Sequence, residues 1–358
     1  MKSKVAVVKT NPTTVLDDID RVMSLADVDH FLKKDAPTIL KINISWQFYF
    51  PACSTTPWQL DGVAASLERR GYKDLIPAQN RTVVVDPKKG AVNNHLNSVM
   101  RKHNLTFVYL YEPDIEWINY KPKAKMLVLD KVYDGRIEIP KMFIGKNAFH
   151  LPTLKTHVFT TMTGAMKNAF GGLLNDNRHW THAVIHETLV DLLQIQKEIH
   201  PGIFCLTDGT IAGNGAGPRV MEPEIKNYLL ASGDPVAIDA IAAKMMGFSP
   251  LNLRFLNLAH ERGLGKADPQ DIEIVGEDIS KVNFHFKSKD NFASRGQKAI
   301  YWGRLKPFER LLLRTPIVPW SYLASRCYHD FYWYNVFGRT KAKKMLQTEW
   351  GKLFDSYK

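Results

Sequence analysis

The segment from Phe149 to Gly172, FHLPTLKTHVFTTMTGAMKNAFGG, gathers groups that can hold or move charge. An apolar strand end and a turn at Pro152 lead into Lys155, Thr156 and His157. Thr160, Thr161, Thr163, Gly164 and Ala165 follow, then Lys167, Asn168 and the pair Gly171-Gly172. Cationic and hydroxyl donors within one strand–loop–helix unit suit an anion: a phosphate, a carboxylate or an enolate formed in a reaction. Small residues let backbone approach such a ligand closely. Lys155 or His157 would move the proton, and burial would lower the lysine into the range where it works as a base. Ordinary solvated lysines at a helix start are the plain alternative.

Asp208 stands just after the expected strand Ile203–Thr207, and Gly209, Gly213, Gly215 and Gly217 come next. Glycines after a strand can turn backbone N–H groups toward an anion. The spacing is neither a dinucleotide fingerprint nor a P-loop, and a flexible surface loop is the other reading. Asp234-Pro235 opens a helix with a capping carboxylate and a first-turn proline, and Asp239 lies one turn on, where it could face a crevice. His179, His182 and His186 precede or begin another helix, with Glu187 and Asp191 nearby. His182 and His186 at one-turn spacing form a candidate divalent-metal pair. Histidines bonded to backbone or solvent are the alternative.

These groups need a frame. Apolar runs without alternation, at Lys4–Lys9, Thr38–Ile44, Thr82–Asp86, Thr106–Tyr111, Met126–Asp130, Ile203–Thr207, Tyr228–Ala231 and Asp271–Gly276, read as buried strands. Between them lie expected helices at Asp17–Lys34, from Pro57 to Leu67 with Thr56 as N-cap, and at Ala91–His103, Thr181–Ile199, Pro235–Met246 and Leu251–Arg262. The fold class is α/β: a mostly parallel sheet with helices on both faces. Ligands of such sheets bind beyond the carboxyl ends of the strands. The α/β body is expected over residues 1–283. Residues 284–358 are expected to be a linker and an extension.

Four stretches resemble one family. LPTLKTH followed by TGAMKNAFGG is similar to the signature of the domain-of-unknown-function family number 362. TDGTIAGNGAGP (Thr207–Pro218) and SGDPVAIDAIAAKMMGF (Ser232–Phe248) resemble its glycine loop and its D-P-V-A helix. LKINIS (Leu40–Ser45) looks like its K-P-N segment, with Ile42 in place of the proline. The resemblance covers roughly residues 38–276. It implies a ligand site that includes Lys41, Asn43, Thr156, Thr163, Lys167, Asn168, Gly213, Gly215, Gly217 and Asp239. Catalytic groups would be drawn from Lys155, His157, Asp208 and His182. Some members carry ferredoxin-like cysteine clusters. Here Cys53, Cys205 and Cys327 are far apart, so no iron–sulfur cluster is expected.

The net charge of +12 is unevenly spread. Residues 295–358 hold 13 Lys/Arg against 4 Asp/Glu, and 14 of the 39 aromatic residues. A basic, aromatic helical extension suits an anionic membrane surface. Plain packing on the body or on a second copy ranks ahead of that surface, and nucleic acid comes last. The opening MKSKVAVVKTNP reads as a first strand rather than a signal peptide, and no run of 18 apolar residues occurs. Cytoplasmic placement, with peripheral membrane attachment as an addition, is the expectation. Two functions stay open. One is an enzyme on a small anionic substrate, an isomerase, lyase or transferase using Lys/His acid–base chemistry. The other is a non-catalytic ligand-, cofactor- or metal-binding protein docked through its tail.

Overall fold

The structure is a computed structural model and describes residues 2–82 and 84–358. Among the described residues twelve strands are present: β1 (Ser3–Lys9), β2 (Thr38–Lys41), β3 (Leu75–Gln79), β4 (Val108–Tyr109), β5 (Trp117–Tyr120), β6 (Ile137–Pro140), β7 (Asn147–His150), β8 (Thr153–His157), β9 (Thr161–Met162), β10 (Ile203–Ala216), β11 (Val220–Ser232) and β12 (Ile272–Gly276). The main sheet runs β12-β1-β11-β10-β7-β2-β3-β4, with β8 against β10 and β9 against β8; β5 and β6 form a separate pair. From β10 through β7, β2 and β3 to β4 the strands are parallel, and β1 is parallel to β12. The antiparallel joins are β1–β11 and the long β10–β11 hairpin.

Successive strand residues point to opposite faces, and here both faces are covered. Val5 and Val7 enter one core with the Ile185–Ile199, Pro235–Met246 and Arg254–Glu261 helices. Ala6 and Val8 enter the other with the Val15–Leu25 and Pro57–Arg69 helices. That is the α/β architecture expected, with a helical C-terminal extension. Thr56 caps its helix as expected, its hydroxyl accepting from Gln59 N–H.

Several elements differ from the sequence expectation, each for a local reason. Asp27 adopts a left-handed backbone (φ 54°), so Asp17–Lys34 is broken into Val15–Leu25 and Val28–Phe31. The Ala91–His103 segment is divided likewise, by left-handed His95 (φ 55°). Met126–Asp130 is no strand. Asp191 accepts the N–H groups of Leu127, Val128 and Leu129 at 2.7, 2.9 and 3.0 Å, and this satisfies the backbone without a ladder. Of Thr82–Asp86, Val83 lies outside the described residues. Thr82 and Val85 bridge each other, and Asp86 caps the helix from Pro87. The glycine stretch after Thr207 is not a loop: it continues β10 to Ala216. The start of the expected Thr181–Ile199 helix lies in a 3₁₀ segment, Asp176–Val184.

The C-terminal residues are not detached from the body. Trp333, Ala342, Met345, Trp350 and Phe354 belong to the second core. Trp350 lies 5.1 Å from Trp58, ring centre to ring centre, and its Nε1 donates to Asn227 at 2.8 Å. No helix among the described residues is long and apolar enough to cross a membrane. Trp350→Ala is expected to cost about 3–5 kcal/mol, the usual range for deleting a buried aromatic. Urea unfolding followed by intrinsic fluorescence checks it. A loss below about 1 kcal/mol would mean that residues near Trp350 add nothing to the core.

Candidate functional site

Beyond the carboxyl ends of β2, β3 and β7 lies a cavity of about 1030 Å³. Its floor comes from the body and its opposite wall from residues 291–332 of the extension. Lys41, Lys167, Arg178, Arg219 and Arg295 line it. Among the described residues Asp176 is the one carboxylate on the wall, and Arg81 holds it at 2.6 Å.

The Phe149–Gly172 segment supplies the centre. β7 and β8 carry it from the sheet, and β9 folds it back through Thr156–Met162 and His157–Thr161 pairing. Asp239, buried in the Pro235–Met246 helix, then accepts Ala165 N–H at 2.7 Å and Met166 N–H at 3.0 Å. That clamp starts the short Ala165–Asn168 helix and aims Lys167 and Asn168 at the cavity. Gly164 must be glycine: a Cβ there would lie 2.3 Å from Asp239 Oδ1. Burial pushes Asp239 up to about 7.

Lys167 is largely enclosed. Among the described residues nothing accepts a hydrogen bond from its Nζ, which lies 5.5 Å from the Phe170 ring centre. Burial, with repulsion from Lys155 and Arg178, brings its pKa down to about 7. Lys41 is fully buried, donates to Ile42 O and Gln79 Oε1, and is held well below the lysine range by burial and by Arg178. Asn168 donates to Lys41 O at 2.8 Å and so joins the motif to the end of β2.

Two of the wall histidines, His157 and His182, present opposite chemistry. His157 Nδ1 accepts from Phe159 N–H at 3.2 Å, so its proton sits on Nε2. Burial and the charges of Lys167, His182 and Lys155 hold it neutral, well below the usual value. His182 Nδ1 faces His179 O at 3.0 Å and must donate, which leaves Nε2 as the acceptor. Burial pushes His182 down to about 3. Its ring stacks on Tyr301 of the extension at 5.7 Å.

Other expected site residues lie behind the wall. Lys155 Nζ donates to Cys53 O at 2.8 Å and Thr153 Oγ1 at 2.7 Å, and burial lowers it to about 8. Asp208 takes Thr56 Oγ1, Trp58 Nε1 and Thr210 N–H, so its oxygens face donors of the protein itself. Thr156 donates to Gly215 O at 2.8 Å and accepts from Gly215 N–H at 2.9 Å. Thr163 is on the wall, although its hydroxyl is turned to Thr153 O at 3.2 Å. Gly213 and Gly215 lie in β10 rather than presenting N–H groups to a ligand; only Gly217 of the three lines the cavity. A Cβ at Gly217 would lie 1.9 Å from Thr156 O, so close strand packing explains the glycine. Asn43 lines the cavity while donating to Cys53 O at 3.3 Å.

The two expected metal ligands lie in different surroundings. His182 is on the cavity wall, whereas His186 stacks on Phe255 at 6.2 Å. The change from 3₁₀ to α geometry between them removes the shared face. No group of three or more His, Cys, Asp or Glu among the described residues is placed to hold a metal ion.

Two arginines escaped the sequence reading. Arg178 is buried, donates to Leu174 O and Arg81 O, and is pushed down to about 10 by burial. Arg219 follows Gly217-Pro218, and its Nε and Nη1 are buried without a hydrogen-bond partner. Its place at the end of the glycine stretch was the available signal.

Residues 38–244 match the model of a family described as Domain of unknown function (DUF362). The chain is also similar to the "Thylakoid-associated protein sll1697" of Synechocystis sp. (strain ATCC 27184 / PCC 6803 / Kazusa), with 29% identity over 119 residues. That alignment spans 32% of this chain and 37% of the relative. No solved structure matches. The family match takes in more than half of the 358 residues, all of the Phe149–Gly172 segment and the glycine-rich strand. The chain therefore belongs to the DUF362 family.

Proposed function

We propose that the protein is an enzyme that binds an organic anion in this cavity and moves a proton on it. The observation that carries this reading is the set of wall cations that form no ion pair with a carboxylate among the described residues. Burying unpaired positive charge is costly, and a bound anion would relieve that cost. Lys41, Arg178 and Arg219 would hold the acid group. Lys167, at about 7, would exchange its proton with the substrate near neutral pH. His157 would donate its Nε2–H, as a neutral imidazole, to an oxygen on which charge develops. Lys155, placed one layer back, would keep Lys167 low by repulsion. Isomerisation, elimination and group transfer all accommodate such a pair.

Anion binding should take up a proton. Free Lys167 is mostly neutral above pH 7, and an anion favours its charged form, so affinity is expected to fall as pH rises through about 7. Calorimetry with inorganic phosphate and benzoate at pH 8, in buffers of differing ionisation enthalpy, reads the uptake. Binding without proton uptake would remove Lys167 from the role.

Proton transfer is checked by NMR in deuterium oxide. Carboxylates that bind should exchange the hydrogen on the carbon beside the acid group, and Lys167→Ala should slow this about 100-fold or more. Anions that bind yet never exchange would favour the non-catalytic reading.

That second reading, a binding protein docked on a membrane, draws on one observation of its own. Among the described residues, 16 large apolar residues are exposed on the surface, and 12 of them lie between Phe292 and Phe337. This segment also carries 7 Lys/Arg and 2 Asp/Glu. Apolar groups rimmed by cations suit an anionic bilayer. The name of the Synechocystis relative, thylakoid-associated, agrees with such attachment. At low salt the protein should sediment with vesicles containing phosphatidylglycerol and not with pure phosphatidylcholine. Replacing Phe308, Leu311 and Leu323 by Ser should cut the bound fraction at least tenfold. Equal sedimentation of that variant would put the contact elsewhere.

A further inference from the structure

The cavity is larger than a small acid requires. About 1030 Å³ is at the upper end of the range for drug-sized ligands, and a phosphate or acetate would fill a small corner of it. Four of the five lining cations, Lys41, Lys167, Arg178 and Arg219, come from the body, and Arg295 comes from the extension. Lys41 and Arg178 are 2% and 5% exposed, on the floor built by β2 and the Asp176–Val184 segment. Facing them, the extension contributes Ile300, Tyr301, Leu305, Leu313, Trp320 and Tyr322, an apolar and aromatic wall.

Some of these wall residues have a second property. Leu305 and Trp320 line the cavity and are also 43% and 42% exposed. Phe292 and Tyr332, likewise on the wall, are 83% and 53% exposed. Apolar residues of the extension therefore both line the cavity and reach the outer surface, which also exposes Phe308, Leu311 and Leu323. Cations concentrated on the body side and apolar groups reaching outward on the extension side match one ligand chemistry.

We propose that the ligand is an amphiphilic acid, a carboxylate or phosphate monoester on a long aliphatic or isoprenoid body. Its acid group sits at Lys41, Lys167 and Arg178, and its body runs past Leu305 and Trp320 toward the surface. This rests on the anion-binding reading above and names the substrate class of that site. The extension is then the half of the site that selects for the body, and the family-like core is the half that selects for the acid.

The test is a chain-length series by calorimetry with acetate, hexanoate, octanoate and dodecanoate, and dodecanol as the uncharged control, all below their micelle concentrations. Affinity should rise about three- to fourfold per added methylene until the track is filled. Dodecanol should bind at least tenfold more weakly than dodecanoate. Lys167→Ala should weaken every acid, whereas the Leu305→Ser/Trp320→Ser double variant should flatten the chain-length slope. Circular dichroism and thermal melting confirm that each variant is folded. Short acids binding as tightly as dodecanoate would overturn the amphiphile and leave the anion reading standing. Dodecanol binding as tightly as dodecanoate would overturn both. Failure of every acid, with inorganic phosphate also unbound, would overturn the anion reading itself.

Discussion

The clamp between Asp239 and the Ala165 and Met166 N–H groups sets the geometry of everything around the cavity. It joins the core helix Pro235–Met246 to the first turn after Gly164 across two hydrogen bonds. The direction of Lys167 and Asn168 follows from that turn. Asn168 in turn fixes the end of β2, where Lys41 sits. The carboxylate must be ionised to accept both N–H groups fully, yet its burial pushes it up to about 7. Two backbone donors thus work against the cost of burying the charge, and the glycine that makes room for the carboxylate has no substitute.

Positive charge is the second constraint. Lys41, Lys155, Lys167 and Arg178 are close enough that Arg178 lowers Lys41, and Lys155 and Arg178 lower Lys167. In folding terms this is a liability. The unfolded chain keeps Lys167 protonated up to about 10, whereas the folded one releases the proton at about 7, so the cost is full below pH 7 and is relieved as pH rises above it. A structure keeps such a cluster only where something other than stability is selected, because apolar residues of similar volume would pack at lower cost.

The legibility of the molecule follows from which forces act locally. Strands such as Ser3–Lys9 and helices such as Pro57–Arg69 announce themselves, since apolar runs, Thr56 and Pro57 are local signals. Met126–Asp130 has the same apolar look, but Asp191, more than sixty residues away, captures its backbone. The glycines after Thr207 suggest freedom, whereas the strand needs them for close approach to Thr156 O and to Met221. Within the site, Lys167, Asn168 and His157 were identifiable from residue type and resemblance. Lys155 shares those signals and faces Cys53 O instead, a distinction that only the packing of β8 against β10 decides. Arg178 and Arg219 carry no motif; their meaning comes from forming no ion pair among the described residues, with Asp176 and Asp330 acting on them only through space.

The extension, by composition, looked like a separate question, and its packing makes it part of the same one. Trp302 Nε1 donates to Ala183 O at 2.8 Å, Leu313 O faces His179 Nε2 at 3.1 Å, and Arg314 lies over Trp180. All three contacts fall on the Asp176–Val184 segment, the same segment that carries Arg178 and His182. His179 in particular links the extension to the site: its other ring nitrogen faces Asp176 O, and its carbonyl orients His182. Moving the extension would therefore change the orientation of His182 as well as open the cavity. The body supplies four of the five lining cations, and residues from Asn291 onward close the other side of the cavity. The two halves are best understood as one site.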